Sequence, residues 1–584
     1  MHFVFFTGTG TVSDISDYKH CSRNVTTAGM LRYLAFDFGK EYFKNVTQLD
    51  IGTLYIDTCS AELHTYKILD QIFGGDVATL VDTNGKTHKV PLDRFVLVIG
   101  DISSAVTIAL QSYLRLLGVP QIAPGSTSNW LDNVDRYPHF LRITPSDSFQ
   151  AQNILRIARE VNIKSIGLIY TSSVYGNSGA QLIQKYAQRY NICIEHMLRI
   201  ERSETSIEQV GRRLATDDSL PRAFVYFGDE WKIPQLLEKI HDHDQIWKSK
   251  GRMIIGGKTW GNSYELIKGY HKETFGTLTL GLATDFTYKS GGVDHFRYYI
   301  SNRTPNNTPN HLFRRFWQGH FNCHLPLMNG VASPTPCSET CNLIHSSQTC
   351  QCPVLATDDV FTKLVVMAWS GFAHAVKNAL SDKNSIEVLF ANSTTARESY
   401  FRWLQTVYIP SKHNGPSDDM KLFNESSNQG PANYDVYNIK KNSTGQAEYI
   451  KVFSFQQKHL NKSKSEKPFF YHFGDIDDSF GSPCTTKQCH CPHNINEEEF
   501  DMSGDRGSND ERQYASQEPD SKKLDAILSL AAITLLALLT FGIYGEWSKK
   551  ILGITVKSKT FVTFVNLMYD AHLEYMSCFV WVRR

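Results

Sequence analysis

The sequence predicts an α/β protein made of two βα lobes with mostly parallel sheets, followed by one apolar helix long enough to cross a membrane. Three observations predict it. A strand–turn–helix–strand unit lies between Phe95 and Ile122, the same alternation repeats from Asp147 to Gly256, and Ala526–Tyr544 carries no charge.

The early chain reads as a helix around Met30–Phe43 and a strand over Ile51–Ile56, then a polar loop over 74–93. Phe95–Ile99 is five apolar, β-favouring residues closed by Gly100, which predicts a buried strand. A helix follows over Ser103–Leu117. Its Leu110, Leu114 and Leu117 recur at i, i+4 and i+7 as one apolar stripe, and Gly118 ends it. Val119–Ile122 is the next strand, completing a βαβ unit of a parallel sheet. From Asp147 the pattern repeats. The helix Ser148–Val161 sets Ala151, Ile154, Leu155 and Ala158 on one face. Strands follow at Ser165–Tyr170, Ala223–Phe227 and Met253–Gly256, with helices at Gly179–Tyr190 and Ile233–His241. Thr277–Ala283 reads as a crossing back to the first lobe, and Asp358–Leu380 as that lobe's long amphipathic helix.

Residues 494–523 are acidic and polar and read as a disordered linker. The 19 residues Ala526–Tyr544, at ~1.5 Å each, span the ~30 Å hydrocarbon core. Lys549, Lys550, Lys557 and Lys559 follow the span, against Lys522 and Lys523 before it, which sets the C-terminus in the cytoplasm. Phe561–Val582 is patchily apolar but carries Asp570, His572 and Glu574, so residues 546–584 read as cytoplasmic or a partial second span. Met1–Phe6 has no basic residue and too short an apolar run for a signal peptide.

At 584 residues the chain is too long for one core. Sixty basic against 59 acidic residues, with no basic run, argues against a nucleic-acid partner. No carboxylate pair, nucleophile elbow or metal cluster has motif-grade spacing, which argues against an enzyme and against a cofactor. Cys484, Cys489 and Cys491, with His490 and His493, allow a zinc reading, but too few ligands are well spaced. Sequons occur at Asn24, Asn45, Asn302, Asn306, Asn392, Asn424, Asn442 and Asn461. All precede the apolar segment, as a glycosylated outer portion requires.

The chemistry lies at the turns. Ser103 and Ser104 open a helix, where free N–H groups and the helix dipole favour an anion. Gly125-Ser126-Thr127 follows the next strand, at the same carboxyl edge, where ligands of open α/β sheets bind. A carboxylate held between Ser104 and Thr127 is one reading. The other is that both hydroxyls cap their own helices.

The run VPQIAPGSTSNWLDNVDRYPHFLRITPSDSFQAQ, followed by Tyr175-Gly176-Asn177-Ser178-Gly179, resembles the extracellular ligand-binding domain of the metabotropic glutamate receptors, of the class C G-protein-coupled receptors. The likeness covers roughly residues 20–455. It implies a bilobal clamshell of the periplasmic-binding-protein type I, with lobe one over about 1–150 and 285–412 and lobe two over about 151–284 and 413–455. Asn433–Asn438 would be the last return to lobe two. Residues 456–523 would hold an incomplete cysteine-rich stalk and the linker, and 524–545 the transmembrane helix ahead of a stub of the signalling domain. The resemblance implies disulfides Cys21–Cys59 and Cys323–Cys337, and a bond from Cys193 to the stalk. Val81–Arg94 lacks the intersubunit cysteine of several receptors.

Carried over by position, Ser104 and Thr127 match residues that bind the ligand's α-carboxylate and amine. The backbone of Gly125 is another contact, Asp147 the acid beside the amine, and Tyr175 the ring that closes over it. Three departures stand out. The lobe-two acid that pairs with the amine falls at Lys258, where like charges 4 Å apart would cost ~4 kcal/mol at an effective dielectric near 20. That outweighs one charged hydrogen bond, ~1.5–3 kcal/mol. The base gripping glutamate's distal carboxylate aligns with Phe361, and the first-helix arginine near Ala28. The expectation is therefore a plasma-membrane receptor, dimeric through lobe one, closing on a small carboxylate other than glutamate. The alternative is a ligand-less or decoy pseudo-receptor acting on a full-length partner.

Overall fold

The computed structural model describes residues 3–8 and 26–462, save 76, 82–86, 244–246, 248–250, 284–290, 309, 326–334, 338–342, 344–358, 383–388, 392, 411–419 and 457–458. Two sheets organise these residues. The first is five-stranded and parallel throughout, in the order β2 (Gly52–Asp57), β1 (Phe3–Gly8), β5 (Phe95–Ile99), β6 (Gln121–Ala123), β7 (Phe140–Arg142). The apolar run at the start of the chain is thus a strand between two others.

The helices around this sheet are α1 (Thr27–Thr47), α2 (Glu62–Phe73), α3 (Ser104–Leu117) and α10 (Val360–Ser381). Leu110 and Leu114 of α3 are buried, and Gly118 caps the helix in the left-handed conformation, as the apolar spacing predicts. α1 runs Thr27–Thr47, longer than Met30–Phe43, because its apolar face packs along α10. Phe43 stacks on Phe372 at 4.8 Å and Phe36 meets Trp369 at 5.3 Å.

The second sheet is mixed. β9 (Cys193–Ile200), β8 (Ser165–Thr171), β10 (Ala223–Phe227), β11 (Met253–Gly256) and β12 (Leu278–Leu282) are parallel neighbours. β13 (Tyr408–Ile409) and β14 (Met420–Lys421) form a separate antiparallel pair, while β15 (Asn433–Lys441), β16 (Ala447–Gln456) and β17 (His459–Lys462) extend the second sheet antiparallel beyond β12. The helices associated with it are α5 (Val174–Ala187), α6 (Glu204–Thr216) and α7 (Lys232–His241). α4 (Asp147–Glu160) runs from the edge of the first sheet, and its predicted face of Ala151, Ile154, Leu155 and Ala158 is fully buried.

Several elements depart from the sequence reading. The loop over 74–93 contains a hairpin, β3 (Val77–Val81) with β4 (Thr87–Pro91); alternation in Val77-Ala78-Thr79-Leu80 buries Ala78 against Val90. The core of the stretch Thr277–Ala283 is a strand, β12, which pairs with β11 and β15 inside the second sheet. β9, α6, α8 (Gly291–Ser301), α9 (His311–Phe321) and α11 (Thr394–Gln405) add to the elements predicted.

Cys323 and Cys337 form a disulfide. Cys59 and Cys193 are also disulfide-bonded, to partners outside the described residues, as Cys21 is. Asn45, Asn302, Asn306 and Asn424 are exposed, and Asn442 is half-buried; Asn24 and Asn392 lie outside the described residues, and Asn461 falls in β17. Among the described residues no helix is long and apolar enough to cross a membrane. The predicted span, the linker and the stalk cysteines all lie outside them.

Candidate functional site

Each predicted site residue stands within five positions of the carboxyl end of a parallel strand. Ser104 follows β5, Gly125 and Thr127 follow β6, and Asp147 follows β7; Tyr175 follows β8 and Lys258 follows β11. A parallel strand directs its carboxyl-end turn away from the sheet with backbone groups unused, so this edge gathers polar side chains.

On the first sheet, Ser104 Oγ accepts the Ser128 N–H at 3.2 Å, which joins the turn after β5 to the turn after β6. The Asp147 N–H donates to the Thr127 carbonyl at 2.7 Å, joining β6 to the start of α4. Thr127 and Asp147 are fully buried. The Thr127 hydroxyl and both Asp147 carboxylate oxygens lack a hydrogen-bond partner among the described residues. Burial pushes Asp147 up to about 6, against the charge of Lys258 and the nearby Thr127 hydroxyl. Ser103 is the N-cap of α3 and makes no side-chain capping bond. Ser128, Ser146 and Ser173 do cap their helices.

Lys258 connects the two sheets. Its ammonium donates to the Gly125 carbonyl at 3.1 Å and stands 4.9 Å from the Tyr175 ring centre and 5.5 Å from that of Phe361. Burial brings this lysine down to about 8, opposed first by Asp147. A Cβ at Gly125 would stand 2.9 Å from Ile102 and 3.0 Å from Phe361, so those two side chains leave room only for a glycine unless they shift. Tyr175 packs on Phe227 at 4.9 Å. Burial, then the charge of Asp147, hold its phenol well above its ordinary range, so it is a neutral hydroxyl.

Gln150, on α4 one turn after Asp147, was not singled out by sequence. Its side-chain amide donates to Tyr175 Oη at 2.9 Å, and its oxygen accepts the Lys258 N–H at 2.9 Å. A glutamine at i+3 from a site acid was the available cue. Arg142 was missed as well. It donates to the Ser128 carbonyl at 3.0 Å and to Gln429 at 2.9 Å and pairs with Asp132, bracing both turns from behind.

Phe361 begins α10 where the alignment removes a base, and it is buried. One turn beyond Ala28, α1 nonetheless carries a buried arginine, Arg32, whose guanidinium stands 5.3 Å from the Phe361 ring centre. That guanidinium is engaged by Asp359 at 3.2 Å through two nitrogens. Burial raises the pKa of Glu230, in the turn after β10, while Arg32 draws it down. Among the described residues no group of His, Cys, Asp and Glu is placed to hold a metal.

The comparisons agree with this architecture. The family model for the receptor family ligand binding region matches residues 31–442. Metabotropic glutamate receptor 4 of Macaca fascicularis is 29% identical over 328 residues, 53% of this chain and 34% of that protein. Metabotropic glutamate receptor 6 of Rattus norvegicus is 28% identical over 295 residues, 48% of this chain and 33% of that protein. The matches span about a third of those relatives. The family is one of receptor ligand-binding domains and not of enzymes. The chain therefore belongs to the receptor family defined by this ligand binding region, and it is similar to metabotropic glutamate receptors.

Proposed function

We propose that the chain is a cell-surface receptor of the metabotropic glutamate receptor type, binding a small amino-acid-like or carboxylate ligand between two lobes. Ser104, Gly125, Thr127, Asp147, Tyr175 and Lys258 form the site. The observation that carries the reading is their convergence: three turns of the first sheet and two of the second meet through the contact of Lys258 with Gly125. Ligand binds lobe one first and stabilises the closed clamshell by adding lobe-two contacts, a population shift equal to its differential affinity. Closure is read out by reorientation of two protomers through lobe one and coupled to G-protein signalling in a full-length receptor. The apolar segment at 524–545 anchors the chain in the plasma membrane with the lobes outside, glycosylated and disulfide-bonded.

The test is a thermal-shift screen of amino acids and small carboxylates on the wild type, Ser104→Ala and Tyr175→Ala. At least one compound should raise the wild-type melting temperature, with the shift lost in both variants. No shift with any compound would overturn the reading and favour a structural partner role.

A further inference from the structure

Lys258 is only 5% exposed, and among the described residues its ammonium makes one hydrogen bond, to the Gly125 carbonyl. Two aromatic rings face it, and it forms no ion pair among the described residues. Of the neighbouring charges the two arginines are already paired, whereas the Asp147 carboxylate has no hydrogen-bond partner among the described residues. Arg142 is paired with Asp132 and Arg32 with Asp359; Asp147 is the first carboxylate whose field supports Lys258. Glu230 answers to Arg32 ahead of Lys258. A ligand ammonium entering here would meet a fixed ammonium already on the carbonyl and over the ring that would receive it. A ligand carboxylate meets the opposite conditions. It finds the remaining N–H bonds of Lys258, the Thr127 hydroxyl beside Asp147, and the first-turn N–H groups of α3, to which the N-cap Ser103 side chain makes no bond.

We infer that Lys258 is a built-in replacement for a ligand's amine, and that the pocket selects small carboxylates carrying no ammonium group. The Phe361 ring stands near both Lys258 and the Arg32 guanidinium, which Asp359 engages, so an uncharged ligand side chain suits that side of the site. This inference rests on the ligand-binding reading above. It makes Lys258 the specificity-determining residue, acting by charge and not by shape.

The experiment measures affinity for matched acids that differ only by the amine: alanine and propionate, glutamate and glutarate, phenylalanine and 3-phenylpropionate. Calorimetry on the purified full chain is paired with thermal shift, which also reports folding. In the wild type at least one deaminated acid should bind roughly tenfold or more tighter than its amino acid. Lys258→Asp should reverse that preference. Lys258→Met, which keeps most of the volume, should bring the two affinities of a pair close together, and it serves if the aspartate variant does not fold. An amino acid that binds the wild type more tightly overturns this inference and leaves the receptor reading intact. So does a preference unchanged in Lys258→Met. If the wild type binds neither member of any pair, both readings fall.

Discussion

Arg32 and Asp359 stand 327 residues apart in the chain and form a two-pronged ion pair, Nε to Oδ2 and Nη2 to Oδ1, each at 3.2 Å. The pair joins the first turns of α1 to the head of α10, where the same carboxylate caps the helix by accepting the Thr362 N–H at 2.8 Å. Both side chains are largely shielded, so neither charge has water to fall back on.

Removing one partner strands the other. Arg32→Met should destabilise the chain by about 3–5 kcal/mol near pH 7, measured by denaturant unfolding. Burial pushes Asp359 up, but Arg32 and Thr362 outweigh it and hold the group below its ordinary value. Its stabilising contribution is therefore present above the unfolded carboxylate range and is lost as pH falls through the folded value. The deficit of Arg32→Met should shrink on acidification as Asp359 takes a proton. A deficit that is constant with pH would mean that lost packing, not charge, dominates.

The site should bind carboxylates more tightly as pH falls. Lys258 sits at about 8 and Asp147 at about 6, each shifted first by burial and then by the other. Arg142, Glu230 and Asp229 also act on Lys258, and Arg142 and Asp132 on Asp147. A carboxylate favours the protonated form of both groups, so binding takes up protons, and affinity rises as pH drops through each value. Propionate or 3-phenylpropionate should bind roughly tenfold tighter near pH 5.5 than near pH 8.5, with proton uptake seen by calorimetry in two buffers. Lys258→Met should lose the upper step. Affinity that falls on acidification would contradict the charge assignment.

Gly39→Ala tests how closely α1 approaches α10. A Cβ at position 39 would stand 2.1 Å from the indole of Trp369, which is fully buried and cannot step aside. Overpacking of this kind should cost about 1–3 kcal/mol or more by unfolding, whereas Gly75→Ala, with nothing near its Cβ, should cost little.

The Cys323–Cys337 bond closes a loop with a sequence separation of 14, and both cysteines are joined to the apolar core. Its loss in Cys337→Ser should destabilise the chain by about 3 kcal/mol through the freed unfolded state, read by unfolding with and without reductant. Equal stability of the wild type in both conditions would exclude that contribution.

The legible parts of the fold share one property: their signal is local. Phe95–Ile99, Ala223–Phe227 and Met253–Gly256 were bounded to the residue, because a buried parallel strand is an unbroken apolar run that ends at a turn. Hairpin β3–β4 was missed because its strands are half polar and their pairing is settled across a turn. The amphipathic α8, α9 and α11 lie in stretches to which the sequence reading assigned no element. Among site residues, those at strand-end turns were readable, while Gln150, Arg142 and Arg32 were not. Each of the latter gains its role from a partner far away in the chain, such as Lys258 at 108 positions or Gln429 at 287.

By itself, the sequence determined the alternation of strands and helices, and with it which turns would carry hydroxyls, an acid, a ring and a lysine to the carboxyl edges. Backbone sterics and side-chain burial act over a few residues, and such constraints are written where they act. Only the tertiary structure decided that these turns meet, that Lys258 points at Gly125 and not at Asp147, and that Arg32 is engaged by Asp359. Electrostatic and hydrogen-bond partners are chosen by distance in space, which no short stretch of chain specifies.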